Sequence, residues 1–240
     1  MIGIKASRRK AGKEEAEKPF WISFSDLMTA LMVLFLVAMA VALIAVTHGL
    51  ATINKDKEER EQTIEACMAD MKALTRQAQF EGVSVHGNSI DFGALVLFGN
   101  DRHSFESPAH ENFVRRFVPR VLELARNQHC DRWLKRVVVE GFASQTGDYL
   151  YNLNLSYLRS QRVLCVLLDT KAADAIAPAD RQFIQRLFLV GGSSFNTAAG
   201  EASRMRRVEL KLEFRDLGSD REQPADIPLD PGTKCPNDWR

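Results

Sequence analysis

Asp26 stands at the edge of an apolar run, Phe20-Trp21-Ile22-Ser23-Phe24-Ser25-Asp26-Leu27-Met28-Thr29-Ala30-Leu31-Met32, and residues 27–46 carry no charge. As a helix those 20 residues reach about 30 Å, the thickness of a bilayer's hydrocarbon core. An acid at the centre of such a helix costs about 2.5–3.5 kcal/mol, and less near an end. Acids kept there face a partner or a water path, and they often carry ions or protons. On a helix, Ser23, Thr29, Ala30, Val33 and Val37 share the side of Asp26. That face is small and partly polar, so a second helix can approach it closely. A carboxyl in a low-dielectric medium takes up a proton more readily than one in water. That step does not fix the ion, and H+ is the preferred cargo. Na+ is the alternative, with Ser25 and Thr29 as supporting ligands, although both hydroxyls can instead bond helix carbonyls. One charge crossing 100 mV is worth about 2.3 kcal/mol, enough to drive work. The bland reading is an acid that snorkels to the headgroups.

The elements that must hold this acid follow from composition. Residues 1–19 form a basic tail, with Lys5, Arg8, Arg9, Lys10, Lys13 and Lys18 against Glu14, Glu15 and Glu17. Basic residues beside a first span keep that end in the cytoplasm, which puts the rest outside. Residues 20–48 are the transmembrane helix, with Trp21 at headgroup level. The apolar stretch is longer than the core of a cleaved signal peptide, so an uncleaved anchor is expected. The expected location is the bacterial inner membrane, single-pass, with a periplasmic C-terminal domain. Residues 49–80 read as a charged helical linker in which Ile64, Cys67, Met71, Leu74 and Ala78 repeat at heptad spacing. The seam either pairs two chains or packs on its own domain. In a parallel pair, Cys67 would meet its twin and could form an interchain disulfide.

Residues 81–216 read as a mixed domain. Val83-Ser84-Val85 and Ile90-Asp91-Phe92 alternate as strands do. Ser107-Pro108 opens a helix, with serine capping and proline at the first position. Phe113, Phe117, Val121 and Leu124 mark its buried stripe. A strand at 137–142, helices at 153–168 and 178–187, and late strands at 189–191 and 208–212 follow. The order β-α-β-α-β predicts an α/β sandwich with helices on one side. Residues 217–240, with Pro224, Pro228, Pro231 and Pro236, form a tail that Cys235 could pin. Lys+Arg 32 against Asp+Glu 31 gives a net charge of +1, which argues against a direct nucleic-acid partner. Four cysteines, Cys67, Cys130, Cys165 and Cys235, allow three intrachain pairings in an oxidising periplasm, and the spacing does not choose among them. No CxxC or Cys/His cluster has metal spacing, so no metal site is expected. His86, His103, His110 and His129 form no nucleophile–base arrangement, so no catalytic residue and no enzyme are expected.

Two resemblances add to this reading. Trp21, Asp26, Met28-Thr29-Ala30, Met32 and Phe35-Leu36-Val37 resemble the span of MotB-type stator proteins of the flagellar motor. Gly141-Phe142-Ala143-Ser144, Gly147, Asn152, Leu155-Ser156, Arg159 and Arg206-Arg207-Val208-Glu209 resemble the OmpA-like peptidoglycan-binding domain. Together they are most similar to the ZorB-type stator family of the Zorya anti-phage defence system. Flagellar relatives usually carry Ala-Tyr-Ala-Asp-Phe where this chain has Ser23-Phe24-Ser25-Asp26-Leu27.

The resemblance implies a homodimer inside a ring of five ZorA-type membrane subunits, turned by ion passage at Asp26 and coupled indirectly to cytoplasmic Zorya effectors. It implies no cofactor beyond the transported ion. In the outer domain it implies a site for the diaminopimelate of the peptidoglycan stem peptide. Arg159 would fork onto a carboxylate, Asn152 would donate and accept, and Tyr151 and Leu155 would wall the pocket. The family usually has an aspartate where this chain has Ser144, which cannot balance an ammonium. Asp148 is the nearby acid that could compensate. Arg206 and Arg207 read as structural. The rival readings are a flagellar stator, a passive wall anchor and a wall-acting enzyme.

Overall fold

The computed structural model describes residues 14–144, 147–194 and 206–219. Helix α1 runs Glu14–Thr75, so the expected span and the linker as far as residue 75 lie in one continuous element, and a short 3-10 turn, Ala78–Phe80, follows. The chain divides into two compact units, residues 1–56 and 57–240, each described by itself.

In the first unit, residues 21–50 are exposed on every side. Among the described residues this is the one helix long and apolar enough to cross a membrane. Exposed Leu, Met, Phe and Val all round such a helix have no protein core to enter, so their solvent is lipid or a partner helix. Asp26 sits on this surface. Thr29 donates its hydroxyl proton to the carbonyl of Ser25 one turn back, which commits that proton to the helix itself.

The second unit is an α/β domain. A hairpin, β1 (Ser84–His86) and β2 (Ser89–Asp91), is followed by α2 (Pro108–Ala125), α3 (Gln128–Asp131), β3 (Leu134–Gly141), α4 (Tyr149–Leu168), α5 (Pro178–Leu187), β4 (Phe188–Gly192) and β5 (Val208–Phe214). The sheet order is β1-β2-β5-β3-β4. β3 and β4 are parallel, as their helical crossover through α4 and α5 requires, and the other pairs are antiparallel. The two strands expected before α2 form a hairpin, and the two expected after α5 are β4 and β5.

Alternation fixes which face is covered. Val137, Val139 and Gly141 of β3 pair with Leu212, Leu210 and Val208 of β5, and all six are buried. The intervening Arg136, Val138 and Glu140, with Glu209, Lys211 and Glu213, occupy the opposite and more polar face. One face is thus under helices and the other is open, the two-layer arrangement the sequence predicts. Helix α2 begins as expected: Ser107 Oγ accepts from the Ala109 amide at 3.2 Å, and Pro108 follows. Its Phe113 and Phe117 pack with Phe80 and Phe92, and the Phe80–Phe117 and Phe92–Phe117 centroids lie 5.0 and 5.4 Å apart. Each buried ring contributes roughly 1.5–3 kcal/mol.

The heptad seam turns inward as far as Leu74, while Ala78 is exposed beyond the end of α1. Cys67 and Met71 are fully buried and Leu74 nearly so, against the domain's own core. Cys67 is disulfide-bonded to Cys130 of α3, at a sequence separation of 63. Of the two readings of the seam, packing on its own domain is the one seen, and Cys67 is not left for a twin: a 3–4 apolar repeat suits a one-sided amphipathic helix as well as a coiled coil, and here the core takes it. Asp70 Oδ2, one turn away, accepts from Asn127 Nδ2 and meets His129 Nδ1, both at 3.0 Å. Arg60 Nε donates to the Arg215 carbonyl at 2.8 Å. Cys165 is not free either. Cys235, the proline-rich segment beyond residue 219 and the basic residues 1–13 lie outside the described residues.

Candidate functional site

Two glycines decide where α4 rests. Gly141 ends β3, Gly192 ends β4, and the two are register partners. A Cβ on Gly141 would lie 2.0 Å from the Ser156 carbonyl oxygen, and one on Gly192 would lie 2.7 Å from Ser156 Oγ and 2.8 Å from the Tyr157 amide. The backbone of α4 therefore lies directly on the strand ends. Two hydroxyl bonds cross the approach, and a third holds Ser156 within α4. Ser160 Oγ donates to the Gly191 carbonyl at 2.7 Å, and Ser156 Oγ donates to the Leu153 carbonyl at 2.7 Å and accepts from the Ser194 amide at 3.1 Å.

This contact carries Arg159 into the interior, where it is only 1% exposed. Its Nη1 donates to the Phe142 carbonyl at 2.7 Å, Nε to Arg102 at 3.0 Å and Nη2 to Gly99 at 3.2 Å. The guanidinium also lies 5.6 Å from the Phe98 ring centroid. Three of its five N–H bonds thus end on backbone carbonyls of two separate loops. Burial foremost, then the charge of Arg206, brings its pKa down to about 10, while Asp101 and Tyr151 act in the opposite direction. It remains a cation at neutral pH.

The expected ligand residues divide by depth. Asn152 and Leu155 are buried beside Arg159, whereas Tyr151 and Asp148 are exposed. Asn152 Nδ2 lies 3.6 Å from where a Cβ on Gly147 would stand, and Gly147 has a φ of 101° that suits glycine. Asp148 holds the N-cap position of α4 without a side-chain capping bond, and its carbonyl accepts from the Asn152 amide at 3.0 Å. Ser144 follows β3 and is half-buried. Arg206 pairs with Glu106 at 3.5 Å. Arg207 pairs with Glu209 at 2.7 Å and covers the Phe142 ring at 4.6 Å, the structural role expected for it.

One segment of the site escaped the sequence reading. Gly99-Asn100-Asp101-Arg102 is a tight turn closed by the Arg102 amide on the Gly99 carbonyl at 3.2 Å. Tyr151 Oη donates to Asp101 Oδ1 at 2.7 Å, which pushes the phenol above its ordinary value. His103, just beyond, is held below the usual histidine value by burial, then by Arg162 and Arg159. The available signal was a Gly-Asn-Asp run directly after the apolar Leu95-Val96-Leu97-Phe98.

A family model described as membrane MotB of the proton-channel complex MotA/MotB matches residues 5–47, the stretch that holds Asp26. The chain is 36% identical over 234 residues to the Zorya protein ZorB of Escherichia coli O139:H28 (strain E24377A / ETEC), covering 96% of this chain and 95% of that one. The chain belongs to the ZorB family. Similar solved structures include a MotB-like protein from Desulfovibrio vulgaris, at 20% identity and a TM-score of 0.42, covering 65% of this chain and 99% of that one. The periplasmic domain of Helicobacter pylori MotB (residues 90–256) gives 16% identity and a TM-score of 0.41, covering 60% and 85%. The OmpA-like domain of FopA1 from Francisella tularensis subsp. tularensis SCHU S4 gives 19% and 0.35, covering 56% and 82%. As a ZorB-family member the chain is a MotB-like membrane protein and not an enzyme.

Proposed function

We propose that this chain is the peptidoglycan-anchored, stator-type subunit of an ion-driven membrane motor acting in anti-phage defence. The observation that carries the reading is a carboxyl beside a 20-residue uncharged stretch of α1, in a chain of the ZorB family. α1 crosses the inner membrane once, with the N-terminus in the cytoplasm and the α/β domain in the periplasm; the six basic residues of the 1–19 tail support that orientation. Two copies stand within a ring of five ZorA-type subunits. Asp26 takes a proton on one side of the ring interface and releases it on the other as the ring steps. A sodium ion held by Ser25 and Thr29 is the alternative cargo. The outer domain grips the stem peptide through the group around Arg159, Asn152, Leu155 and Tyr151, with Ser144 and Asp148 at its edge. The effectors are reached indirectly, through the ring.

Co-purification of the full chain with the membrane protein encoded beside it, followed by structure determination and copy counting, tests this reading. A five-to-two complex with Asp26 at the subunit contact is the expected result. A chain that purifies alone, or with its acid facing lipid, contradicts the motor and leaves a passive anchor. Residence beside motility genes, with motility lost on deletion, would move the assignment to a flagellar stator.

A further inference from the structure

The described cysteines, Cys67, Cys130 and Cys165, are all disulfide-bonded. One bond can be followed from end to end. Cys67 lies on α1 and Cys130 on α3, with Cα atoms 5.0 Å apart, and both residues are 0% exposed within the hydrophobic core. Polar ties between the same two surfaces hold that core shut: Asp70 to Asn127 and His129, Glu59 to Arg132, and Arg60 to the carbonyl of Arg215. Once this contact has closed, neither sulfur can meet a second protein. Thiol–disulfide exchange needs a thiolate in contact with a disulfide sulfur, so the bond must be made while both cysteines are still reachable. Order along the chain supplies that interval. Cys67 and Cys130 are the first and second cysteines. A chain that leaves the cytoplasm behind its membrane helix presents them before Cys165 and Cys235. Oxidation in order of arrival then gives the native pair without reshuffling.

We propose that this chain is a substrate of a periplasmic thiol oxidase, which joins Cys67 to Cys130 as the outer domain emerges and before its core closes. The proposal rests on the periplasmic orientation of that domain, since cytoplasmic thiols are kept reduced. One cysteine thiolate attacks the oxidase disulfide and forms a mixed disulfide. The other thiolate attacks that bond, joins Cys67 to Cys130 and releases the oxidase as a dithiol. The two electrons and two protons of the cysteine pair pass to the oxidase.

The test follows the full chain in cells that hold the oxidase, in cells that lack it, and in cells that lack the disulfide isomerase of the same compartment. Free thiols are alkylated before lysis, and peptide mass mapping reads the Cys67–Cys130 cross-link. The cross-link should form in the first and third hosts, be lost in the second, and return there when cystine is added to the medium. A chain that keeps only Cys67 (Cys130→Ala/Cys165→Ala/Cys235→Ala) cannot complete the exchange, so it should trap a reducible adduct with the oxidase. That adduct forms on the unfolded chain and does not depend on the variant's folding. Protease added to spheroplasts reads the orientation in the same cells. A protease-accessible domain whose cross-link is unchanged without the oxidase, or is lost without the isomerase, overturns the proposal alone. A shielded domain with reduced thiols in all three hosts overturns the orientation and the proposal together.

Discussion

Replacing Gly141 with alanine should move α4 and everything it carries. The new Cβ would stand 2.0 Å from the Ser156 carbonyl oxygen, ~1.5 Å short of van der Waals contact. That oxygen belongs to helix backbone and cannot swing aside, so the helix must lift. Lifting stretches the Ser160–Gly191 bond and the three Arg159 bonds to Phe142, Arg102 and Gly99. Overpacking of this kind costs about 1–3 kcal/mol. Two or more weakened hydrogen bonds, at about 1 kcal/mol each, bring the loss to about 3–5 kcal/mol. At about 2–4 °C per kcal/mol, the melting temperature should fall by roughly 6–20 °C. Differential scanning calorimetry of the full chain in detergent reads this directly. Gly191→Ala is the matched control: its Cβ would meet only Val138 Cγ1, at 3.5 Å, an ordinary contact. That change should stay within about 1 kcal/mol of wild type. Equal melting of Gly141→Ala and wild type, or equal damage from both alanines, would refute the argument that α4 rests on the glycine pair.

The Cys67→Ala/Cys130→Ala double variant should lose about 4 kcal/mol, the chain-entropy value for a loop of the size set by the 63-residue separation, read by denaturant unfolding. On non-reducing gels, the Cys67→Ala/Cys130→Ala chain should show the same monomer–dimer pattern as wild type, because the two cysteines are already paired with each other within one chain. His103 is held below its ordinary pKa by burial, then by Arg162 and Arg159. As pH falls through about 6.5 the unfolded chain takes up this proton before the folded one does, so His103 lowers stability progressively on the acid side. His103→Gln should therefore flatten the stability–pH curve below neutrality, as measured by melts from pH 7.5 to pH 5.

Local chemistry was legible where it acts locally. Ser107-Pro108 announced α2 because a capping hydroxyl and a pre-set φ work on adjacent residues. The Phe113–Phe117 stripe named the core because helical period and burial coincide. The start of α4 was less visible: the helix begins at Tyr149, four residues before the expected Leu153, because Tyr149-Leu150-Tyr151 is an exposed turn without an apolar period. At Cys67 the same 3–4 spacing fits a partner chain or the chain's own core, and only the position of Cys130 separates them. Arg159 and Asp101 show the deeper limit. The spacing of Leu155 and Arg159 placed both on one helix face, yet the carbonyls that hold the guanidinium come from residues 99, 102 and 142. Long-range convergence of that kind leaves no periodic trace, so nothing in the sequence singled out Asp101 until the fold placed it beside Tyr151.

The motor reading stands on Asp26 exchanging a proton, and Asp26→Asn removes the exchangeable proton while keeping the side chain's shape. The decisive measurement is proton flux into vesicles containing the full chain and its neighbouring membrane partner, paired with phage protection in cells. The variant should assemble and reach the membrane as wild type does, and should lose both flux and protection. Undiminished flux and protection with asparagine at position 26 would contradict the account and leave a membrane-tethered wall-binding protein.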